Sequence, residues 1–247
     1  MAANAQEFSS VWTRPQRERR EQPALSRDQI VGEALALLDT EGYDALSMRK
    51  LGTRLNAGAT SLYTHVANKD EILELVTDEV FGEIQLPDYI EPANWRNDVL
   101  TLGRDLRATI LRHPWISIAM TNAGLAFLGP NLMRMTDTIL AVLEAAGFDD
   151  RAADRASNAV FAYVLGSTGT ETSMLTGVAR SGLTEQEWFT KMITMAEQAA
   201  QGFPRIAKRY DLYRDIDSAQ SRDDFFDDEL GLILDGLELL RGRAAAE

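Results

Sequence analysis

The sequence predicts an all-α protein, and three observations support this fold class. Apolar residues recur at spacings of three and four along nearly the whole chain, as they do on one face of an α-helix. No convincing run shows the apolar–polar alternation of a half-buried strand. Seven prolines and 17 glycines among 247 residues leave long stretches in which a helix need not be interrupted.

The predicted helices begin and end at recognisable signals. Three starts have the pattern of a capping box, in which two side chains three residues apart each bond the backbone N–H of the other residue. These pairs are Ser26–Gln29, Asn68–Glu71 and Thr184–Glu187. Ser47 is a further predicted N-cap. Gly147 is expected to end one helix, and Asp149 and Asp150 favour the positive start of the next.

Ten helices are predicted in total. They span residues 27–41, 47–55, 59–65, 69–84, 94–112, 115–126, 130–146, 151–178, 184–200 and 222–241. Residues 201–221, which contain Gly202 and Pro204, predict a long loop, with a short helix as the alternative.

The chain divides into an arm and two helical parts. The segment LPDYIEPAN contains two prolines and joins a small N-terminal unit to a larger C-terminal one. We therefore predict a flexible basic arm at 1–25, a small N-terminal domain at 26–85 with a three-helix unit in residues 26–66, and a larger helical domain at 86–247.

Charge is distributed unevenly along the chain. The formal net charge is −13, yet residues 1–67 contain eight basic and eight acidic side chains. The whole excess of acid therefore lies in residues 68–247. Residues 14–20 (RPQRERR) carry four arginines against one glutamate. A basic arm on an acidic body indicates an anionic partner at one end of the molecule, and a solubilising tail is the alternative.

The composition excludes several function classes. The chain contains no cysteine and only two histidines, His65 and His113, so disulfides, thiolate metal sites and three-histidine sites are excluded. No metal and no cofactor are expected. The first ten residues do not have the pattern of a secretory signal, and no window of about 18 residues is uninterruptedly apolar. A cytoplasmic protein without a membrane partner is therefore expected.

Residues 47–66 have the pattern of a helix-turn-helix. The first predicted helix buries Leu51 and Leu55, and the connection NAGA contains a flexible glycine. The second helix, TSLYTHV, has Leu62 and Val66 on one face, which anchor it to the first. Its outer side chains carry hydroxyl, phenol and imidazole groups and no acid. That set suits a helix in the major groove of DNA.

The string GYDALSMRKLGTRLNAGATSLYTHVANKDEIL (42–73) resembles the TetR family of bacterial transcription regulators. It contains, in the family's order, a Gly-aromatic pair, Ser-x-Arg, Leu-Tyr-x-His and Asn-Lys-x-x-Ile. One departure is NAGA at 56–59, where many members have Gly-Val-Ser in the turn. A weaker resemblance to the ligand-binding domain of the tetracycline-repressor branch covers three further segments. These are GPNLMRMTDTILAVLEAAGFD (129–149), YVLGSTGTE (163–171) and DELGLILDGLELL (228–240).

Candidate DNA contacts follow from the predicted helices. Arg49 and Lys69 lie at helix starts, where the dipole disfavours a cation, so a phosphate partner is expected for each. Tyr63 and His65 lie on outer faces of the second helix, with a core aromatic and a structural histidine as the alternatives. The predicted DNA-binding residues are Ser47, Met48, Arg49, Ala59, Thr60, Ser61, Tyr63, Thr64, His65 and Lys69, together with Arg14, Arg17, Arg19 and Arg20 of the arm.

The last predicted helix indicates a homodimer. Its apolar residues form two stripes about 120° apart, which is more than a helix on the surface of a single chain requires. One stripe contains Phe226, Leu230, Ile233, Leu237 and Leu240, and the other contains Phe225, Leu232 and Leu239. Helix 151–178, with small residues that permit close approach, is the predicted mate. The resemblance implies a two-fold four-helix bundle, and a central helix within a monomer is the alternative.

The larger domain contains aromatic and thioether side chains that suit either an adaptable apolar pocket or a plain core. The candidate pocket residues are Trp95, Trp115, Met120, Phe127, Met133, Phe161 and Met174. The tetracycline-repressor branch implies a histidine metal ligand where this chain has Leu125. Metal-dependent tetracycline sensing is therefore not expected.

The function predicted from these features is that of a repressor that a small molecule releases from a palindromic operator. The expected partners are double-stranded DNA, a second copy of the chain and an effector of unidentified kind. Helix 69–84 would link the DNA-binding unit to the effector pocket. A helical-bundle enzyme is one alternative, but no Glu-x-x-His pair or nucleophile motif is present. A DNA-binding protein without an effector is the other.

Overall fold

The computed structural model describes residues 25–123, 129–213 and 217–244. Within these ranges the chain forms eleven α-helices and no strand, so the predicted all-α fold class is confirmed. The helices are α1 (Arg27–Glu41), α2 (Met48–Arg54), α3 (Ala59–Tyr63), α4 (Lys69–Phe81), α5 (Trp95–Arg112), α6 (Trp115–Ala123), α7 (Pro130–Ala145), α8 (Asp150–Ser181), α9 (Glu185–Ala199), α10 (Pro204–Tyr213) and α11 (Ser218–Ala244). The arginines of the predicted arm lie outside the described residues.

The helix boundaries follow the local signals closely. Ser26 and Thr184 each form a complete capping box, and Ser47 accepts a hydrogen bond from the backbone of Lys50. Asn68 caps α4, but the capping box predicted there is wrong. The Glu71 carboxylate accepts a bond from the Ala67 amide at 2.7 Å, one residue earlier than a capping box requires. The short helix left open within 201–221 is α10.

The first compact unit ends at Ser157 and is built around α4. Every residue from 71 to 78 is buried, because α4 packs against α1, α6 and α7 on different sides. The apolar face of α1, with Ile30, Ala34 and Leu37 fully buried, provides one of these contacts. The N-terminal part, α1–α4, therefore shares a continuous core with α5–α7. The predicted boundaries at 25/26 and 85/86 stay a prediction.

The second compact unit begins at Asn158 and contains the rest of α8 together with α9–α11. Tyr163 on α8 packs on Phe226 of α11, with ring centroids 5.4 Å apart, and its hydroxyl donates to the Phe226 carbonyl at 3.0 Å. Arg222 of α11 pairs with Glu171 of α8 at 2.5 Å and with Glu185 of α9 at 3.0 Å. These contacts join α8, α9 and α11 through side chains distant in sequence.

The two apolar stripes predicted on the last helix occupy different environments on α11. Phe226, Leu230 and Leu237 of the first stripe are buried within the unit. Leu232 and Leu239 of the second stripe are each 70% exposed, and Phe225 is exposed with them. The first stripe therefore packs inside the unit, and the second stripe is an exposed apolar surface of the chain.

Candidate nucleic-acid interface

The turn between α2 and α3 is tight, and two residues permit it. Asn56 has φ +49°, in the left-handed region that an asparagine tolerates better than most residues. Gly52 on α2 leaves little room for a side chain, since a Cβ there would lie 3.0 Å from the Ala57 carbonyl oxygen and 3.3 Å from a Leu62 methyl. Gly58 has φ −66° and ψ 149° and is the N-cap of α3.

The recognition helix α3 presents the side chains that the sequence predicts. Leu62 and Val66 are fully buried and anchor it, as expected. Ser61, Tyr63 and Thr64 are exposed, with Tyr63 at 53%. Because a core aromatic would be covered, the exposure of Tyr63 favours a surface contact.

The basic side chains of α2 differ in whether they form ion pairs with carboxylates. Lys50 forms an ion pair with Glu41, and Arg54 pairs with both Glu33 and Glu41. The hydrogen bond from Lys50 is the main cause of a lowered pKa of Glu41. Arg49 is exposed and makes no ion pair within the described part of the chain. Of these three cations, Arg49 therefore keeps its charge available.

Arg49 and Tyr63 share an open groove between α2 and α3. The groove measures about 640 Å³. It is lined by Met48, Arg49, Gly52, Thr53, Asn56, Ala57, Gly58 and Tyr63. Its lining contains no carboxylate, so an anionic partner meets no repulsive charge there.

Lys69 lies at the first position of α4, six residues after Tyr63. Its ammonium is 4.7 Å from the centroid of the Tyr43 ring, within the range of a cation–π contact. No carboxylate pairs with Lys69 among the residues that the structure describes. Tyr43 belongs to the 3₁₀ turn Tyr43–Ala45, which follows Gly42 (φ +84°) and leads into α2.

The remaining predicted DNA contacts occupy consistent positions. Ser47 caps α2 and is exposed, Met48 lines the groove, and His65 is half-buried just after α3. Ala59 and Thr60 begin α3, and their side chains lie outside the description. Arg14, Arg17, Arg19 and Arg20 also lie outside it. Of the described candidates, Met48, Arg49 and Tyr63 line one groove, while Lys69 contacts Tyr43 at the start of α4.

A polar cluster joins the N-terminal part to α5 and α6. Asp39, in the last turn of α1, accepts a hydrogen bond from the Trp115 indole at 2.7 Å, and the same oxygen lies 2.8 Å from Nδ1 of His113. Nε2 of His113 is 3.2 Å from Glu83, just beyond α4, and Glu83 accepts a bond from Arg112 at 2.8 Å. We call Asp39, Glu83, Arg112, His113 and Trp115 the junction cluster.

The junction cluster places two acids at helix C-termini, where the helix dipole disfavours negative charge. Burial opposes the ionisation of Glu83, but the hydrogen bond from Arg112 and the charge of His113 outweigh it and lower its pKa. Sequence reasoning missed the cluster. A signal for it is visible in the sequence: Asp39 lies near the end of α1, and Glu83 lies near the end of the predicted helix 69–84. Acids are unfavourable at both positions, so cationic partners are expected for them.

A second contact joins α4 to the start of α7. One carboxylate oxygen of Asp78 accepts the backbone N–H groups of Asn131 at 2.9 Å and Leu132 at 3.1 Å, and so caps α7 from a distant helix. The Asn131 amide donates back to Asp78. Burial is the main cause of a raised pKa of Asp78. Gly129 is required beside it, since a Cβ there would lie 2.0 Å from the carboxylate oxygen.

The candidate pocket residues are not gathered around one described cavity. In the first unit, Trp95 is buried against Phe148, Met120 is half-buried and Met133 is exposed. Trp115 is buried, with its indole N–H committed to Asp39 in the junction cluster. In the second unit, Phe161 is half-buried, and Met174 lines an open groove of about 610 Å³ between α8 and α11. Phe127 and Leu125 lie outside the described residues.

No helix in the described ranges combines the length and apolar character needed to cross a membrane.

Two family profiles match this chain over most of its length. Residues 30–76 match the family described as bacterial regulatory proteins, tetR family. Residues 87–241 match the tetracyclin repressor-like C-terminal domain. The two matches follow one another along the chain and cover both the helix-turn-helix and the larger helical part.

Similar proteins are transcription regulators of the same family. An HTH-type transcriptional regulator of Saccharopolyspora erythraea is 44% identical over 66% of this chain and 67% of its own length. The HTH-type transcriptional repressor DrrR1 of Streptomyces coeruleorubidus is 29% identical over 91% of this chain and 82% of its own length. The structure of apo ActR from Streptomyces coelicolor is 29% identical, with a TM-score of 0.74, and covers 91% of this chain and 100% of ActR.

ActR has also been solved in complex with actinorhodin, at 31% identity and a TM-score of 0.73, covering 87% of this chain and 96% of ActR. With both family profiles matched in order and the helix-turn-helix geometry in place, this chain belongs to the TetR family of bacterial transcriptional regulators.

Proposed function

We propose that this protein is a repressor that binds a near-palindromic operator as a homodimer and is released from it by a small molecule. The observation that carries the proposal is the surface around α2, α3 and Lys69. There Arg49 and Lys69 keep their charge, while Lys50 and Arg54 are neutralised by carboxylates. Arg49 shares a groove with the exposed Tyr63, and Lys69 provides a second uncompensated cation at the start of α4, a set that suits phosphate contacts beside a recognition helix.

The proposed DNA contacts divide into two kinds. Arg49, Tyr63 and Lys69 contact phosphates and fix the position of α3 on the duplex. The remaining candidates on α3 face the base edges. The arm arginines follow the backbone into an adjacent minor groove, whose negative potential attracts arginine. Deleting residues 1–20 is expected to weaken operator affinity and to lower its salt dependence without changing dimerisation.

The proposed dimer uses the exposed stripe of α11. Leu232 and Leu239 are uncovered in the single chain, and exposed apolar residues in a row indicate an interaction surface. Small residues of α8, including Gly166 and Ser167, line the neighbouring groove and permit the close approach of a second helix. A two-fold bundle of α8 and α11 from each copy would cover both features.

The proposed effector is a small molecule that acts through α4. This helix contacts α1, α6 and α7 at once, so a displacement of α6 or α7 changes the position of Lys69 at its other end. ActR, which shares the fold, binds actinorhodin. For this chain we propose effector contacts within each compact unit separately, by Trp95, Met120 and Met133 in the first and by Phe161 and Met174 in the second. Phe127 stays a prediction outside the described residues, and we assign Trp115 to the junction cluster as well. We propose a cytoplasmic regulator without enzymatic activity.

The DNA-binding proposal is tested with duplexes that the wild-type protein selects from a random-sequence pool. Tyr63→Ala and Lys69→Ala are each expected to weaken binding. Removing the phosphate contact of Lys69 is also expected to lower the salt slope by about one. Lys50→Ala is the matched control, since its charge is already paired with Glu41. Unchanged affinity of both Tyr63→Ala and Lys69→Ala would contradict the proposal.

The effector proposal is tested with actinorhodin and (S)-DNPA, the ligands in the ActR structures, as probes. Release of the selected duplex by either probe, weakened by Met174→Ala or Phe161→Ala, is the expected result. Binding of the probe without any change in duplex affinity would contradict the coupling that we propose.

A further inference from the structure

We propose that Tyr43 is a positioning residue for DNA binding, because its ring holds the Lys69 ammonium at the DNA-facing surface without neutralising it. This inference rests on the proposed function and adds a residue to its site. Tyr43 does not contact the phosphate in this proposal. It acts through Lys69.

Lys69 is in an unusual electrostatic position. It is the first residue of α4, where the unpaired N–H groups and the helix dipole make the potential positive and disfavour a cation. It is also half-buried, which removes part of its hydration. Within the described residues, the side chain of Lys69 has the face of the Tyr43 ring as its partner, 4.7 Å from the ring centroid. The negative π-face therefore supplies the potential that the helix end lacks.

The kind of partner determines what the cation is still able to do. A carboxylate would stabilise the ammonium but cancel its charge toward DNA, as Glu41 does for Lys50. An aromatic ring carries no net charge, so the attraction of Lys69 for a phosphate persists. A ring also covers one side of the ammonium and leaves N–H donors free on the other. The Tyr43 contact thus orders a flexible side chain before DNA arrives and keeps it functional.

The position of Tyr43 in the chain links two phosphate contacts. Gly42 has φ +84°, a conformation that glycine adopts without strain, and turns the chain sharply after α1. Tyr43 then begins the 3₁₀ turn that leads through Leu46 and the N-cap Ser47 into α2, which carries Arg49. One turn therefore sets the position of α2 and, through the ring, that of Lys69.

The experiment is a double-mutant cycle on duplex binding, with the duplex selected by the wild-type protein. Tyr43→Leu and Tyr43→Phe are each measured alone and in the Lys69→Ala background. Tyr43→Leu alone is expected to weaken affinity about two- to five-fold per protomer, the range of an exposed cation–π contact. Tyr43→Phe is expected to retain wild-type affinity, because its ring face is similar. In the Lys69→Ala background, Tyr43→Leu is expected to have no further effect.

A second series of variants at position 43 keeps the proposal testable if Tyr43→Leu does not fold. Tyr43 is replaced by phenylalanine and by phenylalanine analogues carrying one, two or three ring fluorines, which weaken the π-face with little change of shape. Affinity is expected to fall stepwise with each fluorine while the melting temperature stays constant. Affinity that does not depend on fluorine number would overturn the proposal.

Other outcomes would also overturn it. If Tyr43→Phe loses as much affinity as Tyr43→Leu, the hydroxyl is the functional group and the ring face is not. If Tyr43→Leu has the same effect with and without Lys69, the two residues act independently. If Lys69→Ala leaves affinity unchanged while Tyr63→Ala abolishes binding, this inference fails and the proposed function stands. If neither Lys69→Ala nor Tyr63→Ala weakens binding, both fail.

Discussion

Arg49 and Lys50 are neighbours in sequence but differ in the charge they present to solvent. Lys50 is paired with Glu41, nine residues earlier on α1, whereas Arg49 points away from that helix and is exposed. The direction of each side chain around α2 decides this difference. Two adjacent cations therefore have different expected contributions to the binding of a polyanion.

We predict that Arg49→Ala lowers the salt slope of operator binding by about one for each phosphate that the arginine touches, whereas Lys50→Ala changes it little. The measurement is duplex affinity by fluorescence anisotropy across a series of salt concentrations. Lys50→Ala also provides the control for general changes in net charge, since both variants remove one positive charge. Equal salt slopes for the two variants would show that ion pairing does not determine which of these two cations contacts phosphate.

At the scale of residues, sequence reasoning succeeded where the cause is local. Leu62 and Val66 are buried because their helical spacing places them on one face, and that spacing is visible in the sequence. The left-handed residue of the turn, Asn56, has no distinct signal in the sequence, because glycine is the usual choice for this conformation. The pairing of Arg54 with Glu33, 21 residues away, depends on how α1 and α2 pack and has no local signal.

At the scale of elements, the polar contacts that hold α4 to its neighbours include those of Asp78 and Glu83. Asp78 caps α7, and Glu83, just beyond the helix, belongs to the junction cluster. Apolar packing alone permits some sliding between helices. Directional hydrogen bonds to a helix N-terminus fix the register of α4 against α7.

We predict that Asp78→Ala lowers the free energy of unfolding by about 1–2 kcal/mol, the usual cost of losing a helix cap. Gly129→Ala should also destabilise, by about 1–3 kcal/mol, because its Cβ would overlap the Asp78 carboxylate. Urea unfolding of both variants and of the double variant checks this. In the Asp78→Ala background the Gly129→Ala cost should shrink but not vanish, because the Cβ of residue 78 would still lie 2.6 Å from the added methyl. Fully additive effects would contradict the overlap with the carboxylate.

The lowered pKa of Glu83 predicts a pH dependence with a definite sign. A carboxyl whose pKa is lower in the folded chain stabilises the fold above its ordinary range and loses this contribution as the pH falls through the lowered value. Glu83→Gln should therefore be less stable than the wild type at about pH 5.5, and the difference should shrink toward about pH 3. Urea midpoints at several pH values measure it. A difference that stays constant over this whole range would contradict the assignment.

The elements themselves were largely predictable, and their long-range contacts were not. Capping residues such as Ser26, Ser47 and Thr184 mark helix starts through bonds within three residues. The sequence predicts Trp115 as a pocket residue, because an aromatic in an apolar helix suits a cavity. Its indole donates to Asp39, 76 residues earlier, and helical spacing in the sequence does not indicate this partner.

At the scale of the whole molecule, the acidic excess and the uncovered stripe of α11 bear on assembly. The net charge of −13 makes copies of the chain repel one another, so association requires a specific apolar contact. Leu232 and Leu239, one helical repeat of seven apart, provide such a contact surface.

We predict that Leu232→Glu or Leu239→Glu weakens dimerisation by roughly 100-fold or more, because each copy would bury a charge without a partner. Ala219→Glu, at an exposed position near the start of α11, is the matched control and should leave the dimer intact. Analytical ultracentrifugation measures the result. A wild-type protein that sediments as a monomer at micromolar concentration would contradict the proposed assembly.

The two attachments of the N-terminal part, Asp39 to the junction cluster and Asp78 to the start of α7, bear on how this regulator can be recombined. DNA recognition and effector sensing look separable along the chain, yet both acids lie in residues 26–85 and their partners lie beyond residue 86. A chimera can join residues 26–85 of this protein to the larger helical domain of a relative. Its DNA binding will respond to an effector only if that domain has equivalents of His113, Trp115 and Asn131.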